Sequence, residues 1–374
     1  MGESMRVLHI TEVLEPAGIE AFIMNMYRHV DRSKVQFDFL VTRNTDEYYD
    51  AEIKALGGKK YCIDYMTTQN MMVRIIKEAK AIKAFLKEHQ YSVVHLHTTT
   101  PLRMPYLIAM KQAGVKNRII HSHSATVEGK SFLKRCVYGF FKQFIPIYAT
   151  ECIGCSKAAS KWMYPRRVWK NNKDVVFFNG IDTKKFSFSN EIREKIRLEL
   201  GLGDCYTLVN TGRFLEQKNQ SFLIDILEEI VKDDPDVKLL LLGKGPLRKS
   251  VEEKVSAKKL DNNVLFLGVR DDVQNILQAA DCYVMPSLYE GLPVSAVEAQ
   301  STGLPCVLSS NITEEVALCE NVKFLELSAP ISQWKEEILK CRHVSQREKA
   351  SNMIKRKGYE VQDCAEQLMK LYMK

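Results

Sequence analysis

DCYVMPSLYEGLPVSAVEAQSTGLPCVLSS spans residues 281–310 and contains the most informative pattern of this sequence. It predicts a strand over Cys282–Met285, a glycine-containing loop, a helix and a second strand over Pro305–Leu308. Glu290 falls in the loop, whereas Glu298 falls within the helix, among small and apolar residues. A carboxylate in a core-facing helix needs a partner, so Glu298 is a candidate ligand contact unless it faces solvent or caps a neighbouring segment.

The spacing of these two glutamates carries a family resemblance. Seven residues separate Glu290 from Glu298 within P-S-x-x-E-G-x-P-x-x-x-x-E-A, and G-L-P-C-V follows. This pattern resembles the signature of the retaining glycosyltransferases of family 4, which have the GT-B architecture. The resemblance implies that Glu290 lies against a donor sugar and that Glu298 binds the ribose hydroxyls of a nucleotide. It also implies that Gly291 and Leu292 belong to the donor-binding loop.

Length and composition limit the number of domains and the possible classes of protein. A chain of 374 residues is too long for one ordinary core and predicts two domains. The composition, 45% hydrophobic and 27% charged, is that of a globular protein. The N-terminal MGESMRVLHI lacks the apolar region of a signal peptide, and no apolar run is long enough for a spanning helix. Ten scattered cysteines fit reduced thiols, so we expect a cytoplasmic location.

The net charge of +8 is concentrated between Lys130 and Lys173, where ten Lys and Arg residues stand against one Glu. Aromatic residues are interleaved with these charges, and SFLKRCVYGFFKQF predicts a basic amphipathic helix. Such a helix can lie on an anionic membrane surface, which makes a peripheral membrane contact through residues 130–173 one interpretation. An ordinary surface helix with snorkelling lysines is the alternative. Nucleic-acid binding is not expected, because no nucleic-acid motif accompanies the charge.

Strands and helices alternate along the first half of the chain, which predicts a parallel sheet whose strand C-termini collect ligands. The predicted strands are Met5–Ile10, Phe37–Thr42, Ser92–His97 and Arg118–His123, and the predicted helices are 70–89 and 105–113. Pro16-Ala17-Gly18 opens the first helix, whose free backbone N–H groups could face a phosphate. P-A-G-I-E resembles the G-G-x-E loop of the family with Ala17 in place of the first glycine, and Gly18 remains available for close backbone approach to a donor.

Two H-x-H pairs, His95/His97 and His121/His123, fall at the C-terminal ends of two predicted strands. A strand directs residues i and i+2 to the same face, so either pair could chelate zinc, but no nearby Cys or carboxylate completes a convincing set. The resemblance implies that one histidine of HSHS approaches the donor sugar or its phosphate. We take this residue to be His123, with His121 as the alternative.

Arg213 and Lys218 follow a predicted strand in the second half of the chain, within CYTLVNTGRFLEQKN. Two cations beside a helix N-terminus suit a pyrophosphate, unless both are simply solvated surface charges. G-R-F-x-x-x-K-N is also close to a motif of the family. Gly243 and Gly245 form a G-x-G after the next strand, which we interpret as a place where the backbone passes near a bound nucleotide.

No metal ion or cofactor is expected. The D-x-D at Asp234–Asp236 lies in a helix-to-strand turn, where Asp and Pro are common, and is not interpreted as a metal-nucleotide motif. Arg213, Lys218 and helix N-termini would instead balance the charge of the pyrophosphate.

The motifs occur in family order along nearly the whole chain. They imply an α/β protein of GT-B architecture with two Rossmann-like parallel-sheet domains facing a cleft. An acceptor-binding domain would span residues 1–182 and a nucleotide-sugar-binding domain 183–355, and a helix within 356–374 would cross back to the first domain. The implied activity is retaining, metal-independent transfer of a hexosyl unit, and we favour a UDP-sugar as donor.

A lipid-linked or polysaccharide acceptor at the inner face of the membrane, in cell-envelope or exopolysaccharide biosynthesis, fits the basic aromatic stretch. Two alternatives stay open. One is a nucleotide-sugar epimerase or phosphorylase on the same fold. The other is a catalytically silent GT-B scaffold protein.

Overall fold

The computed structural model describes residues 4–15, 18–43, 48–124, 132–343 and 347–374. The chain divides into two compact units, one formed by Met1–Gly180 with Val361–Lys374 and the other by Ile181–Glu360. The sequence had placed the corresponding boundaries after residues 182 and 355. Pro16 and Ala17 of the first predicted loop, and Lys130 of the basic stretch, lie outside the described residues.

The first unit alternates strands and helices. In chain order it contains β1 (Met5–Thr11), α1 (Gly18–His29), β2 (Val35–Val41), α2 (Asp50–Ala55), β3 (Lys60–Cys62), α3 (Met71–His89), β4 (Val93–Thr98), α4 (Met104–Gln112), β5 (Asn117–Ser122), α5 (Phe132–Tyr148), β6 (Glu151–Gly154), α6 (Lys157–Met163), α7 (Arg166–Trp169) and β7 (Asp174–Val176). The described strands pair in parallel in the order β3-β2-β1-β4-β5-β6-β7. The predicted parallel sheet is therefore confirmed.

The second unit repeats this arrangement on a smaller scale. It contains α8 (Asn190–Glu199), β8 (Thr207–Thr211), α9 (Gln220–Val231), β9 (Lys238–Leu242), α10 (Arg248–Ala257), β10 (Val264–Gly268), α11 (Val273–Ala279), β11 (Cys282–Met285), α12 (Val294–Ser301), β12 (Cys306–Ser309), β13 (Val322–Leu325), α13 (Ile331–Lys340) and α14 (Ala350–Ile354). Its described strands are also parallel, in the order β10-β9-β8-β11-β12-β13. The predicted strand over Cys282–Met285 has the bounds that its sequence pattern indicated.

The strand order of each sheet reverses at one point. In the first unit the reversal lies between β1 and β4, and in the second it lies between β8 and β11. Connections leave these neighbouring strands toward opposite sides of the sheet, which opens a crevice beyond their C-terminal ends where ligands of such folds bind. Ligands are therefore expected at the loops that follow β1, β4, β8 and β11.

The C-terminal helix α15 (Val361–Tyr372) belongs to the first unit. Its buried face, which includes Leu368 and Tyr372, is part of the same apolar cluster as α1, β1 and β2. A Cβ on Gly180 would lie 2.8 Å from the Cys364 Sγ and 2.9 Å from the Val361 Cα. Gly180 therefore permits α15 to pack closely against the end of Met1–Gly180, the first of the two chain segments that form this unit.

Two glycines hold neighbouring loops of the second unit together. A Cβ on Gly243 would lie 2.1 Å from the Gly212 carbonyl oxygen, and a Cβ on Gly245 would lie 2.5 Å from the Phe214 carbonyl oxygen. Phe214 N also donates to the Lys244 carbonyl at 3.1 Å. The G-x-G thus has a packing role, since its backbone passes against the loop after β8.

We expect Gly243→Ala to destabilise the protein much more than Gly201→Ala. Both glycines have positive φ, +132° and +62°, but Gly201 has open space where a Cβ would lie. The positive φ should cost about 1 kcal/mol in the Gly201 variant, whereas the added clash at Gly243 should bring its cost to roughly 3 kcal/mol or more. Thermal unfolding of both variants measures the difference. Equal melting temperatures would show that the two loops separate easily.

Candidate functional site

The loops that follow β8 and β11 are joined by an ion pair. Lys218, at the end of the 3-10 turn Glu216–Lys218, donates from Nζ to Glu290 Oε1 at 2.6 Å. The two side chains are 17% and 9% exposed, so the pair is well shielded from solvent. Two residues that the sequence assigned separately, one to a pyrophosphate and one to a sugar, are therefore in direct contact.

Further contacts between the same loops fix this pair. Leu288 N donates to the Gln217 carbonyl at 2.8 Å, and Gln217 Nε2 donates to the Tyr289 carbonyl at 2.9 Å. A Cβ on Gly212 would crowd the aliphatic carbons of Lys218 at 3.2–3.5 Å, so the glycine makes room for the lysine stem. The ammonium of Lys218 is thereby positioned before any ligand binds.

Arg213 directly follows the turn after β8 and is exposed. Its backbone is fixed, because Gln220 Nε2 donates to its carbonyl at 3.1 Å. Its guanidinium makes no hydrogen bond or ion pair with any described residue. Since the charges of Lys218 and Glu290 compensate each other, Arg213 is the uncompensated cation of these three groups.

Glu298 lies in the middle of α12, where its side chain is partly buried. Its carboxylate accepts no hydrogen bond from the residues that the structure describes. Burial raises its pKa to about 7, and the charge of Lys185 opposes this shift. The partly exposed side chain alone would suggest a smaller rise in pKa, but protein surrounds the carboxylate and no described residue donates to it. A group in this state can accept hydrogen bonds from ligand hydroxyls.

The remaining predicted residues of this loop precede α12. Gly291 is partly exposed, and Leu292 is 6% exposed. The N-cap of α12 is Pro293, which makes no side-chain capping bond, so the backbone N–H groups of the first turn have no capping side chain. Such a helix N-terminus carries partial positive charge and favours an anionic ligand.

Five histidines gather on one face of the sheet of the first unit. They are His9 on β1, His95 and His97 on β4, and His121 and His123 at the end of β5. His97 shares hydrogen bonds with His9 at 3.0 Å and with His123 at 2.9 Å. We call these five residues the histidine cluster.

Burial keeps the histidine cluster neutral. It lowers the pKa of His9 and of His123 to about 3, and it holds the pKa values of the other three rings well below their usual range. His121 is fully buried, whereas His123 is partly exposed. Of the two predicted alternatives, His123 is thus the ring that a solute can reach in the first unit.

The first turn of α1 carries a second unusual carboxylate. Glu20 is 4% exposed and accepts a hydrogen bond from Thr11 Oγ1 at 3.2 Å. Burial raises the pKa of Glu20 to about 7. Gly18, the first residue of the helix, is exposed, and no described atom lies within 4 Å of the position that a Cβ would occupy.

Sequence reasoning missed His9 and Glu20. His9 is an isolated histidine in the apolar strand MRVLHIT, and its place in the cluster follows from its pairing with His95 across the parallel strands. Glu20 is the glutamate of P-A-G-I-E, so the motif contained a signal for it. Its burial beside Thr11 could not be derived from the motif.

The basic aromatic stretch forms α5 and exposes large apolar side chains. Phe132 is 80% exposed, Phe140 61% and Ile147 53%, and the neighbouring Lys134 and Arg135 are also exposed. The helix is therefore amphipathic, with exposed apolar side chains next to positive charge. Among the described helices, none is long and apolar enough to cross a membrane.

Comparisons with known proteins agree with the two-unit architecture. Residues 16–185 match the family described as Glycosyltransferase Family 4, and residues 205–336 match the family described as Glycosyl transferases group 1. The putative glycosyltransferase EpsF of Bacillus subtilis is 33% identical over 372 residues, which cover 98% of this chain and 96% of that protein. An Escherichia coli enzyme, UDP-Gal:alpha-D-GlcNAc-diphosphoundecaprenol alpha-1,3-galactosyltransferase, is 29% identical over 288 residues, 74% of this chain and 70% of that protein.

The fold has counterparts among solved structures. The crystal structure of Anabaena HepE in complex with UDP has a TM-score of 0.76 and 18% identity, and the match covers 98% of this chain and 99% of that chain. HepE in complex with UDP-glucose gives a TM-score of 0.74. At this identity the likeness concerns the fold, and it confirms the predicted GT-B architecture.

Replacing Glu298 by Gln should change how stability depends on pH. A folded-state pKa near 7, raised from the ordinary value of 4.5, means that the folded chain holds this proton more tightly than the unfolded chain. The resulting contribution to the free energy of unfolding is fully present below pH 4.5 and is lost as the pH rises through 7. At pH 8 we expect Glu298→Gln to exceed the wild type by about 1 kcal/mol, allowing for solvent screening, or roughly 2–4 °C in melting temperature.

Thermal unfolding at pH 5 and pH 8 measures this difference. Glu253→Gln, which removes an exposed carboxylate from α10, is the control and should follow the wild type. If the difference in melting temperature between Glu298→Gln and the wild type were the same at pH 5 and pH 8, burial would not raise the pKa of Glu298.

Proposed function

The chain belongs to glycosyltransferase family 4, and on this premise we propose that it transfers a hexosyl unit from a UDP-sugar to a lipid-linked or polysaccharide acceptor, with retention of the anomeric configuration. We place this reaction in cell-envelope or exopolysaccharide biosynthesis. The name of the Escherichia coli relative includes UDP-galactose and a diphosphoundecaprenol-linked sugar, and HepE binds UDP and UDP-glucose. These names support a UDP-sugar and a lipid-linked acceptor.

The observation that carries the proposal is the collection of Arg213, the Lys218–Glu290 pair and Glu298 at the strand-order reversal of the second unit. Parallel sheets bind ligands at this edge. Arg213 offers a fork of five N–H donors that have no described partner, which suits the oxygens of a pyrophosphate. Lys218 uses one of its three donors on Glu290 and keeps two for the same group.

The two carboxylates take different roles in this proposal. Glu298 accepts hydrogen bonds from the ribose hydroxyls, because its carboxylate has no described donor. Glu290 orients the hydroxyls of the sugar. It does not act as a nucleophile, since its ion pair with Lys218 reduces the electron density available for attack. Gly291 and Leu292 form the adjoining wall of the donor site.

Catalysis would rest on electrostatics at the departing phosphate. The transition state develops positive charge on the sugar ring and negative charge on the leaving group, and preorganised cations stabilise the latter. Arg213, Lys218 and the N-terminus of α12 supply that positive charge, so no metal ion or other cofactor is required for transfer. In the first unit, we assign Gly18 a backbone contact to the donor and His123 a contact to the sugar or its phosphate.

The surface of α5 supports the proposed acceptor and location. Its exposed phenylalanines and neighbouring cations suit the surface of an anionic membrane, where apolar side chains enter the interface and basic residues contact headgroups. A cytoplasmic enzyme bound to the inner membrane face would reach lipid-linked acceptors there. No nucleic acid is part of this proposal.

Donor binding is tested by thermal shift without metal, with UDP, GDP, ADP, NAD and their sugar conjugates. We expect UDP-sugars to raise the melting temperature of the wild type. Arg213→Ala and Glu298→Ala should weaken binding by roughly 10- to 100-fold, as for the loss of a charge-assisted hydrogen bond. The matched controls Arg356→Ala and Glu253→Ala, both at exposed positions of the second unit, should bind like the wild type.

The same measurements separate the alternatives. No shift with any nucleotide would indicate a catalytically silent scaffold, and turnover that depends on free phosphate would indicate a phosphorylase. Conversion of the donor to its epimer without an acceptor would indicate an epimerase. With an acceptor membrane fraction and EDTA present, the transferred sugar should keep its anomeric configuration by NMR, and an inverted product or loss of transfer in EDTA would contradict the mechanism.

Membrane binding is tested by sedimentation with phosphatidylglycerol vesicles at low salt. The double variant Phe132→Ser/Phe140→Ser should bind at least about 10-fold more weakly, because each ring loses its apolar contact with the interface. Ile76→Ser, which changes an exposed apolar residue of α3, is the control and should bind like the wild type. If the wild type stayed in the supernatant at low salt, α5 would be an ordinary surface helix.

A further inference from the structure

The histidine cluster contains buried nitrogens that nothing described in the protein satisfies. Neither Nδ1 nor Nε2 of His121 has a hydrogen-bond partner among the described residues, although the ring is fully buried. A neutral imidazole carries one donor and one acceptor, and each left unpaired in the interior destabilises the folded chain. Such a ring points to a ligand that supplies the missing contact.

Two further imidazoles face His121. His97 lies directly across from it in the parallel register of β4 and β5, and His123 follows it by two residues. The ring centres of His121 and His123 are 4.0 Å apart, and those of His97 and His121 are 5.6 Å apart. One nitrogen from each of the three rings lies within 4.8 Å of the other two. The three rings therefore bring three potential ligand nitrogens into one small region.

We propose that His97, His121 and His123 form a binding site for Zn²⁺ or a chemically similar divalent ion of the late first transition row. Imidazole is the preferred nitrogen ligand of these ions, and three histidines with one open position is an established zinc coordination. Nitrogens around a tetrahedral zinc ion lie roughly 3.3 Å apart, given Zn–N distances of about 2.0 Å. The three nitrogens lie 4.8 Å apart or less, so side-chain rotations would have to bring them to that spacing.

The hydrogen-bond chain already brings two of the three ligand atoms together. His97 Nδ1 and His123 Nε2 are 2.9 Å apart and share one proton, which the ion would replace. His97 would then carry its proton on Nε2 and donate it to His9 Nδ1, 3.0 Å away. A metal-bound histidine is usually oriented by such a bond from its second nitrogen, so His9 has the place of a positioning residue.

A second trio, His9, His95 and His97, shares one ring with the first. It lies deeper, because all three of its rings are buried, whereas His123 is partly exposed. Nδ1 of His95 is also occupied by the hydroxyl of Tyr372 at 2.7 Å. An ion entering from solvent therefore reaches the site at His123 first.

Charge indicates what completes the coordination. Three neutral imidazoles leave the full charge of a divalent ion uncompensated, so the open position favours an anion such as hydroxide or phosphate. The ion would connect β4 to β5 through side chains and raise the stability of the first unit. This site shares His123 with the proposed donor contact, but it goes beyond the proposed transferase function, which requires no metal.

The test is a metal titration of untagged, chelator-stripped protein. Co²⁺ should give the intense visible absorption of a four- or five-coordinate ion at one equivalent, Zn²⁺ should displace it, and gel-filtered protein should retain one zinc per chain. His121→Ala and His123→Gln should lose the bound ion and the zinc-dependent rise in melting temperature. His89→Ala removes an exposed imidazole outside the cluster and should behave like the wild type.

The metal-free melting temperature and the metal content of His123→Gln together separate loss of the ion from loss of the fold. His123→Gln changes a partly exposed ring, so its metal-free melting temperature should stay close to that of the wild type even if His121→Ala unfolds. A weak six-coordinate Co²⁺ spectrum, or zinc retention unchanged in His123→Gln, would overturn the proposal. Neither measurement uses a nucleotide-sugar, so failure here leaves the transferase proposal standing, and failure of donor binding leaves this one standing.

Discussion

The ion pair between Lys218 and Glu290 is the contact on which the candidate site of the second unit depends. Its partners come from loops that follow β8 and β11, the strands on either side of the order reversal. Removing one partner of a shielded pair leaves an uncompensated charge, so neither residue can be changed without disturbing both loops. Because Gly212 leaves room for the lysine stem, the pair is formed by the folded chain itself. A ligand at this edge therefore meets a lysine that is already in place.

Glu290 and Glu298 are the same residue type, eight positions apart, but their different environments suit them to different roles. Glu290 accepts a hydrogen bond from the ammonium group of Lys218, which fixes the position of its carboxylate. Glu298 has no described donor, and burial raises its pKa to about 7, so its charged form is disfavoured. A carboxylate of the first kind can orient a hydroxyl from a fixed position, and one of the second kind gains most when a ligand brings hydrogen-bond donors. Carboxylates with such different environments commonly have separate tasks.

Much of the fold could be predicted from the sequence because its signals are local. Apolar runs bounded by turn residues predicted β11 with its observed bounds, and the alternation of strands and helices in the first half of the chain predicted its parallel sheet. The second parallel sheet was implied by the family resemblance. The contacts within the site are not local. Lys218 and Glu290 are 72 positions apart, and no pattern in either loop indicates that they pair. The packing role of Gly243 likewise depends on a loop from another strand, so the sequence, which suggested a nearby nucleotide, did not indicate this contact.

Hydrogen-bond chemistry limits how many ring nitrogens of the histidine cluster can be paired with one another. A neutral imidazole has one donor and one acceptor, so a chain of rings runs in one direction and leaves its ends unsatisfied. His9 Nε2 is such an end, and no described residue accepts from it or donates to it. The parallel register forces this outcome, because it aligns His9 with His95 and His97 with His121 on one face of the sheet. Packing against Phe22 and neighbouring rings offsets part of the cost but cannot supply the missing hydrogen bonds. Only a polar group or an ion from outside the described chain can do so.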